Sequence, residues 1–152
     1  LAATLALGTM ITAQAADTID GTVVSGTYKR STNGGRRRGL KSPAGGAWEK
    51  LSDGTYKYHF AEGLEATDYW LEIDGTWYYF GHDNIMQTGW VKDDGNWYYM
   101  DLETGALFTG WHEISGKWYY FHEEGDGFKG TLMVNCETPD GYTVDVNGAL
   151  VE

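Results

Sequence analysis

Three stretches of this 152-residue chain set two tryptophans seven residues apart and follow them with a tyrosine: Trp70, Trp77 and Tyr79, then Trp90, Trp97 and Tyr99, then Trp111, Trp118 and Tyr120. Indole and phenol rings bring no nucleophile to neutral water; what they bring is a face. The negative quadrupole potential of that face attracts a cation by about 0.5 to 2 kcal/mol, more as the cation loses its water, and the same face stacks on a sugar ring. This is the chemistry of holding a ligand. The groups that could make or break bonds are poorly placed: His59, His82, His112 and His122 fall at spacings that suit no zinc site, and Asp53, Asp74 and Asp94 stand in turns, where they are explained by turn chemistry. No catalytic, metal or cofactor residue is nominated. Cys136, the single cysteine, cannot form an internal disulfide and has no basic neighbour in sequence to activate it.

The rings must be aimed by something, and the sequence supplies it by repetition. Trp70–Phe80, Trp90–Met100 and Trp111–Phe121 are eleven-residue copies with Asp74-Gly75, Asp94-Gly95 and Ser115-Gly116 at their centres. Such a dipeptide between β-forming runs is a strong two-residue hairpin signal. The turn fixes the register, so that Ile73 faces Thr76, Glu72 faces Trp77, Leu71 faces Tyr78 and Trp70 faces Tyr79. Alternation along a strand then places Trp70, Glu72, Trp77 and Tyr79 on one side, with Leu71, Ile73, Tyr78 and Phe80 on the other. The same count groups Trp90, Lys92, Trp97 and Tyr99, and again Trp111, Glu113, Trp118 and Tyr120.

A degenerate copy opens at Trp48, where one extra residue before Gly54 calls for a three-residue Ser52-Asp53-Gly54 loop that sets Trp48 opposite Tyr58 and puts Tyr56 in the second Trp position. Another closes the chain from Gly130 to Glu152, where the loss of aromatics suits a terminal cap. A lone hairpin is barely stable in water, so each must bury its aromatic faces on its neighbours. The expected fold is all-β, a solenoid of about five tandem hairpins over residues 47–152, preceded by a disordered N-terminal segment.

That preceding segment has its own character. Leu1–Ile11 is apolar and leads to Ala13-Gln14-Ala15, the pattern of a signal-peptide remnant over residues 1–15 and shorter than a membrane span, which implies a secreted chain with no transmembrane segment once processed. Residues 16–46 lack apolar periodicity and read as a flexible basic linker, too short to shape an active site. Six basic side chains, Arg36 to Arg38 among them, outnumber Asp17 and Asp20 and give this linker a net +4, which leaves −15 for residues 47–152 of the chain's −11. The basic run could touch a polyanion such as teichoic acid phosphates, but so few aromatics surround it that nucleic acid is not a partner.

With these elements located, Trp48 to Glu152 closely resembles the choline-binding or cell-wall-binding repeat family. The resemblance implies a β-hairpin solenoid in which choline sits between successive hairpins, against two tryptophans of one repeat and an aromatic of the next. Carried over by position, it implies cages on Trp70 with Trp77, Trp90 with Trp97 and Trp111 with Trp118, with Tyr79, Tyr99, Tyr120 and Tyr142 as candidate third walls. Tyr69 stands where later copies have Gly89 and Gly110, so two sound cages and one weaker are expected. Lys92 occupies the place that Glu72 and Glu113 hold elsewhere, which predicts a weaker cage in the middle copy. The implied function is a secreted, non-catalytic module that binds choline-decorated teichoic acid at a Gram-positive cell wall. Stacking of a glucan or other wall polysaccharide on the same rings is the competing reading, and a targeting fragment of a cell-wall hydrolase ranks below both.

Overall fold

The computed structural model describes residues 46–60, 65–67, 69–123 and 129–152, apart from the side chain of Tyr69, together with the backbone of four short strands before them. Residues 1–15, read above as a signal-peptide remnant, Arg36 and parts of the stretch 16–46, read as a linker, lie outside the described residues. The four strands are β1 (Thr18–Ile19), β2 (Thr22–Val23), β3 (Lys29–Asn33) and β4 (Arg37–Lys41). Ten more follow in five antiparallel hairpins: β5 (Ala47–Lys50) with β6 (Tyr56–His59), β7 (Tyr69–Ile73) with β8 (Thr76–Phe80), β9 (Gly89–Asp93) with β10 (Asn96–Met100), β11 (Gly110–Ile114) with β12 (Lys117–Phe121), and β13 (Cys136–Glu137) with β14 (Thr143–Val144). β4 runs parallel to β7, with Leu40 opposite Leu71. The chain is all-β, built of tandem hairpin repeats, and among the described residues no helix is long and apolar enough to cross a membrane.

The turns impose the register read from the sequence. Asp74 and Gly75 both take positive φ, 51° and 83°, as do Asp94 with Gly95 and Ser115 with Gly116. Two consecutive left-handed residues make the tight turn whose twist matches the flanking strands. Ile73 accordingly pairs with Thr76, Glu72 with Trp77, Leu71 with Tyr78 and Trp70 with Tyr79. The first hairpin absorbs its extra residue as expected: Gly54 is left-handed at φ 89°, and Trp48 lies opposite Tyr58.

After each hairpin the chain returns for a single bridge to the second strand, Glu65 to His59, Met86 to Phe80, Leu107 to Met100, Leu132 to Phe121 and Leu150 to Val144. In three cases the bridging residue also ties its repeat to the one before. Met86 donates its amide to the Tyr56 carbonyl, Leu132 to that of Trp97 and Leu150 to that of Trp118, each at 2.8 Å. These bonds use strand-edge groups that would otherwise need water.

Two compact units divide the chain; β5–β6 and β7–β8 lie in the first, and the last three hairpins lie in the second. The first unit's core gathers Tyr58, Phe60, Ala66, Leu71, Ile73, Phe80 and Met86. In the second, Tyr99, Ile114, Phe121 and Leu132 cluster, with Phe108 and Tyr119 packed against them. The last residue of the second strand, Phe80, Met100, Phe121 or Val144, is almost wholly excluded from water in four successive repeats.

Candidate ligand-binding site

The clearest constellation lies between the last two hairpins. Trp111 and Trp118 from β11–β12 face Tyr142 from the final hairpin across a cleft of about 380 Å³, completed by Asp140 and Leu150. Trp111 and Tyr142 stand at right angles, with centroids 5.8 Å apart. Trp118 and Tyr142 remain 45% and 55% exposed, so the cleft is open. Asp140 is fixed from both sides: Oδ1 accepts from the Thr138 hydroxyl at 2.6 Å, and Oδ2 accepts from Nε1–H of Trp111 at 2.9 Å. These two bonds, that from Thr138 first, hold its carboxyl below the usual range. A carboxylate that stays ionised therefore sits at the wall of an aromatic cleft.

One hairpin earlier the arrangement recurs. Trp90 and Trp97 stand perpendicular at 6.1 Å, 39% and 42% exposed, and the ring that meets Trp90 from the next hairpin is Tyr119, at 5.1 Å and 79°. The first unit holds a third version made of Trp48, Tyr56 and Tyr78, with Trp48 at 6.4 Å and 88° from Tyr56 and at 4.9 Å and 71° from Tyr78.

Of the rings nominated from sequence, the structure groups Trp90 with Trp97, and Trp111 with Trp118 and Tyr142. It does not bring Tyr99 or Tyr120 into the openings. Each lies behind the first tryptophan of its own hairpin, Tyr99 5.1 Å from Trp90 and Tyr120 5.2 Å from Trp111, and both are buried. Tyr79 lies in the same relation to Trp70, at 4.9 Å. Trp70 and Trp77 are only 2% and 6% exposed, so this pair presents no open face.

The rings that sequence reading passed over are Tyr78 and Tyr119, the middle residue of Trp-Tyr-Tyr. The signal was present in the alternation itself. Hairpins of one hand stack the tryptophan face of one on the opposite face of the next, and Tyr78 and Tyr119 are the aromatics of that opposite face. Tyr142 obeys the rule, since Val144 takes the buried place of Phe121 and Tyr142 therefore that of Tyr119. Trp48 with Tyr56 was missed because Tyr replaces the second tryptophan, and Asp140 because its role comes from Thr138 and Trp111, distant in the chain.

Lys92 lies across from Trp97, and its Nζ stands 5.6 Å from that ring's centroid. His112 stacks on Phe108 at 3.7 Å and bonds the Thr109 carbonyl, on the side away from the cleft. Glu49, His59 and Glu65 bring donor atoms within 4.8 Å of one another, a grouping invisible in linear spacing. These donors are already engaged: His59 pairs with Glu49, while Lys57 and Asn84 bond the two oxygens of Glu65.

Tyr120 carries a testable electrostatic consequence. Its hydroxyl donates to Glu123 Oε2 at 2.9 Å; burial first, then the Glu123 carboxylate, pushes the phenol from 10.0 up to about 12. A folded value above the unfolded one contributes stability below pH 10 that is lost as the pH rises towards 12. The denaturation midpoint should fall between pH 10 and pH 12, and Tyr120→Phe should reduce that fall.

Comparison with known proteins agrees with the geometry. The family model of the choline-binding repeat matches residues 66–109 and 108–143, half of the chain. The chain belongs to the choline-binding repeat family. Choline binding protein F of Streptococcus pneumoniae, crystallised in the presence of a peptidoglycan analogue, a tetrasaccharide-pentapeptide, superposes with a TM-score of 0.60 at 27% identity, over 88% of this chain and 43% of its own. The modular Cpl-1 endolysin, complexed with a peptidoglycan analogue of the same description, shares the fold with a TM-score of 0.51 at 22% identity, over 86% of this chain and 41% of its own. The choline binding domain of Spr1274 in Streptococcus pneumoniae is 38% identical over 55% of this chain and 93% of its own, with a TM-score of 0.47. This choline-binding repeat chain thus spans less than half the length of the first two. No curated protein matches it.

Proposed function

We propose that this chain binds choline through its inter-hairpin aromatic clefts and so attaches to choline-decorated teichoic acid on a Gram-positive surface, outside the cell and without catalysis of its own. The observation that carries the reading is the angle between the rings. Trp90 with Trp97 and Trp111 with Tyr142 each meet at 90°, and Trp48 with Tyr56 at 88°. Perpendicular faces make a corner, which encloses a compact, roughly spherical trimethylammonium group on two or three sides. A sugar ring is a disc and asks for one broad flat face.

A quaternary ammonium donates no hydrogen bond, so a polar pocket gains little from it, whereas ring faces and the Asp140 carboxylate attract its charge. Three walls at about 0.5 to 2 kcal/mol each come to a few kcal/mol, near the roughly 4 kcal/mol of a millimolar constant. Sites this weak hold a surface when ligand and cage both repeat, because linked sites raise avidity by about 10²- to 10⁴-fold where their spacing fits. The −15 carried by residues 47–152 favours cations at longer range and is screened by salt.

The full chain should be retained on a choline resin, leave it with free choline, and pass through a dextran resin. Replacing Trp90 and Trp97 together by alanine should shorten choline retention while the circular dichroism stays β-rich. Retention on dextran that ignores free choline would establish the glucan reading instead.

A further inference from the structure

The second unit holds another cleft, lined by none of the tryptophans. It encloses about 390 Å³ between the loop that follows β10 and the turn end of β11, within the roughly 300–1,000 Å³ of small-molecule sites. Its buried part is apolar: Phe108 packs on Tyr99 with centroids 5.0 Å apart at 34°, and Ile114 lies beside them. Its polar part is acidic. Asp101, Glu103 and Glu113 all line it, with no lysine or arginine among the lining residues, and Glu113 belongs here and not to the cleft of Trp111, Trp118 and Asp140. The described ion pairs, Lys57 with Glu65 and His59 with Glu49, take up none of these three carboxylates. Backbone N–H groups of Thr104 and Glu103 donate to Asp101 Oδ1 at 2.8 and 2.9 Å and hold that carboxyl below its usual range, so it stays ionised. Tyr99 supplies an independent sign of a missing partner. The residue is only 7% exposed, yet among the described residues its hydroxyl has no hydrogen-bond partner. The one partnerless side-chain oxygen sealed from water among the described residues is Oγ1 of Thr131, so the Tyr99 hydroxyl lies in the sliver of that residue left open, and Tyr99 lines this cleft.

We propose that this cleft is a second binding site, for a primary ammonium on an apolar stem of four or five carbons, the chemistry of a lysine side chain. The reading stands apart from choline binding and asks for the opposite kind of cation. A quaternary ammonium has no N–H to give, and aromatic faces suffice for it. A primary ammonium has three N–H donors and needs acceptors. This cleft offers acceptors: the lone pairs of the Tyr99 hydroxyl and the carboxylates of Asp101, Glu103 and Glu113. Three like charges around one opening repel one another, and a cation relieves that repulsion where a neutral ligand would not. Bonds from an ammonium to carboxylates are charge-assisted and strong for their size. The stem behind the head then lies on Phe108 and Ile114, as the methylenes of lysine cover apolar surface while the charged end stays among polar groups.

The test is a titration of the ¹⁵N-labelled full chain with three probes: n-pentylammonium, Nα-acetyl-lysine methylamide and tetramethylammonium. The backbone amide signals of Glu103, Phe108 and Glu113 report on this cleft, and the indole N–H signals of Trp97 and Trp118 report on the cages. Both primary amines should shift the three amides, at concentrations about tenfold lower than tetramethylammonium requires, because only they donate to the acceptors. Tyr99→Phe keeps the ring and removes the hydroxyl, and should weaken the amines by up to about tenfold. Glu103→Gln and Glu113→Gln should each cost about two- to fivefold, as exposed charge pairs do, and molar salt should shrink that loss. Equal affinity for the two amines points to the lysine side chain of a peptide as the natural occupant, and binding of pentylammonium alone to a free amine; either supports the site. Amides that ignore both amines, or that respond to tetramethylammonium as readily, overturn it, as does a Tyr99→Phe, Glu103→Gln, Glu113→Gln triple variant with wild-type amine affinity. Because choline binding is read at the indoles, either failure leaves that reading where it was.

Discussion

Replacing Trp118 by alanine weakens choline binding at the last cleft by about tenfold and leaves the thermal midpoint nearly unchanged. The two halves of this expectation have separate causes. Trp118 is a wall of the cleft, and a ring facing a partly desolvated cation contributes up to about 2 kcal/mol, of which 1.4 kcal/mol is a factor of ten. Its contribution to the fold is smaller, because nearly half of its surface is in water and the bond that ties the next repeat to it, from Leu150, uses its carbonyl and survives the change. Tyr142→Ala should weaken the same site, whereas Tyr142→Phe should not, since the face is retained and only a hydroxyl is lost. Calorimetric titration of the three variants, with melting curves alongside, checks this. Wild-type affinity in Trp118→Ala would show that the cleft is not where choline sits.

How far the site could be read in advance follows from the kinds of interaction that make it. Everything governed by neighbours along the chain was legible: the Asp-Gly turns, the pairing of Trp70 with Tyr79 and the three-residue loop at Gly54. These depend on φ preferences and on a side-chain period of two, which sequence displays directly. The choice of third wall depends instead on which face of one hairpin meets which face of the next. Placing Tyr99 and Tyr120 there treated neighbouring hairpins as if like faces met. In the structure unlike faces meet, so Tyr119 supplies the wall while Tyr99 and Tyr120 back the first tryptophan. The burial of Trp70 and Trp77 was illegible for a related reason. Their motif is intact, and whether an intact motif stays open is decided by what packs over it.

Phe121→Ala should be the most damaging single truncation in the second unit, and its effect separates core from cage. Phe121 is fully buried, ends β12, bridges Leu132 and meets Trp90 at 5.9 Å and 43°, with Phe108 at 6.3 Å. Large-to-small changes at such a position cost about 3–5 kcal/mol, because the lost transfer energy adds to that of a cavity the surroundings cannot fill. A small repeat unit has few other contacts to spare. The same ring supports Trp90 from behind, so choline binding at the Trp90–Trp97 cleft should fall together with the denaturation midpoint. Trp118→Ala, by contrast, should separate the two measurements. Phe121→Leu keeps much of the volume and should recover most of the stability, and with it the affinity, since in the proposed cage Trp90 and Tyr119, not Phe121, form the walls. If stability returned in Phe121→Leu while affinity did not, the aromatic ring itself would belong to the cage. If Phe121→Ala cost less than about 1 kcal/mol, the hairpins of the second unit would not be held together by this buried ring, and the clefts between them would lack the rigid walls that caging a cation requires.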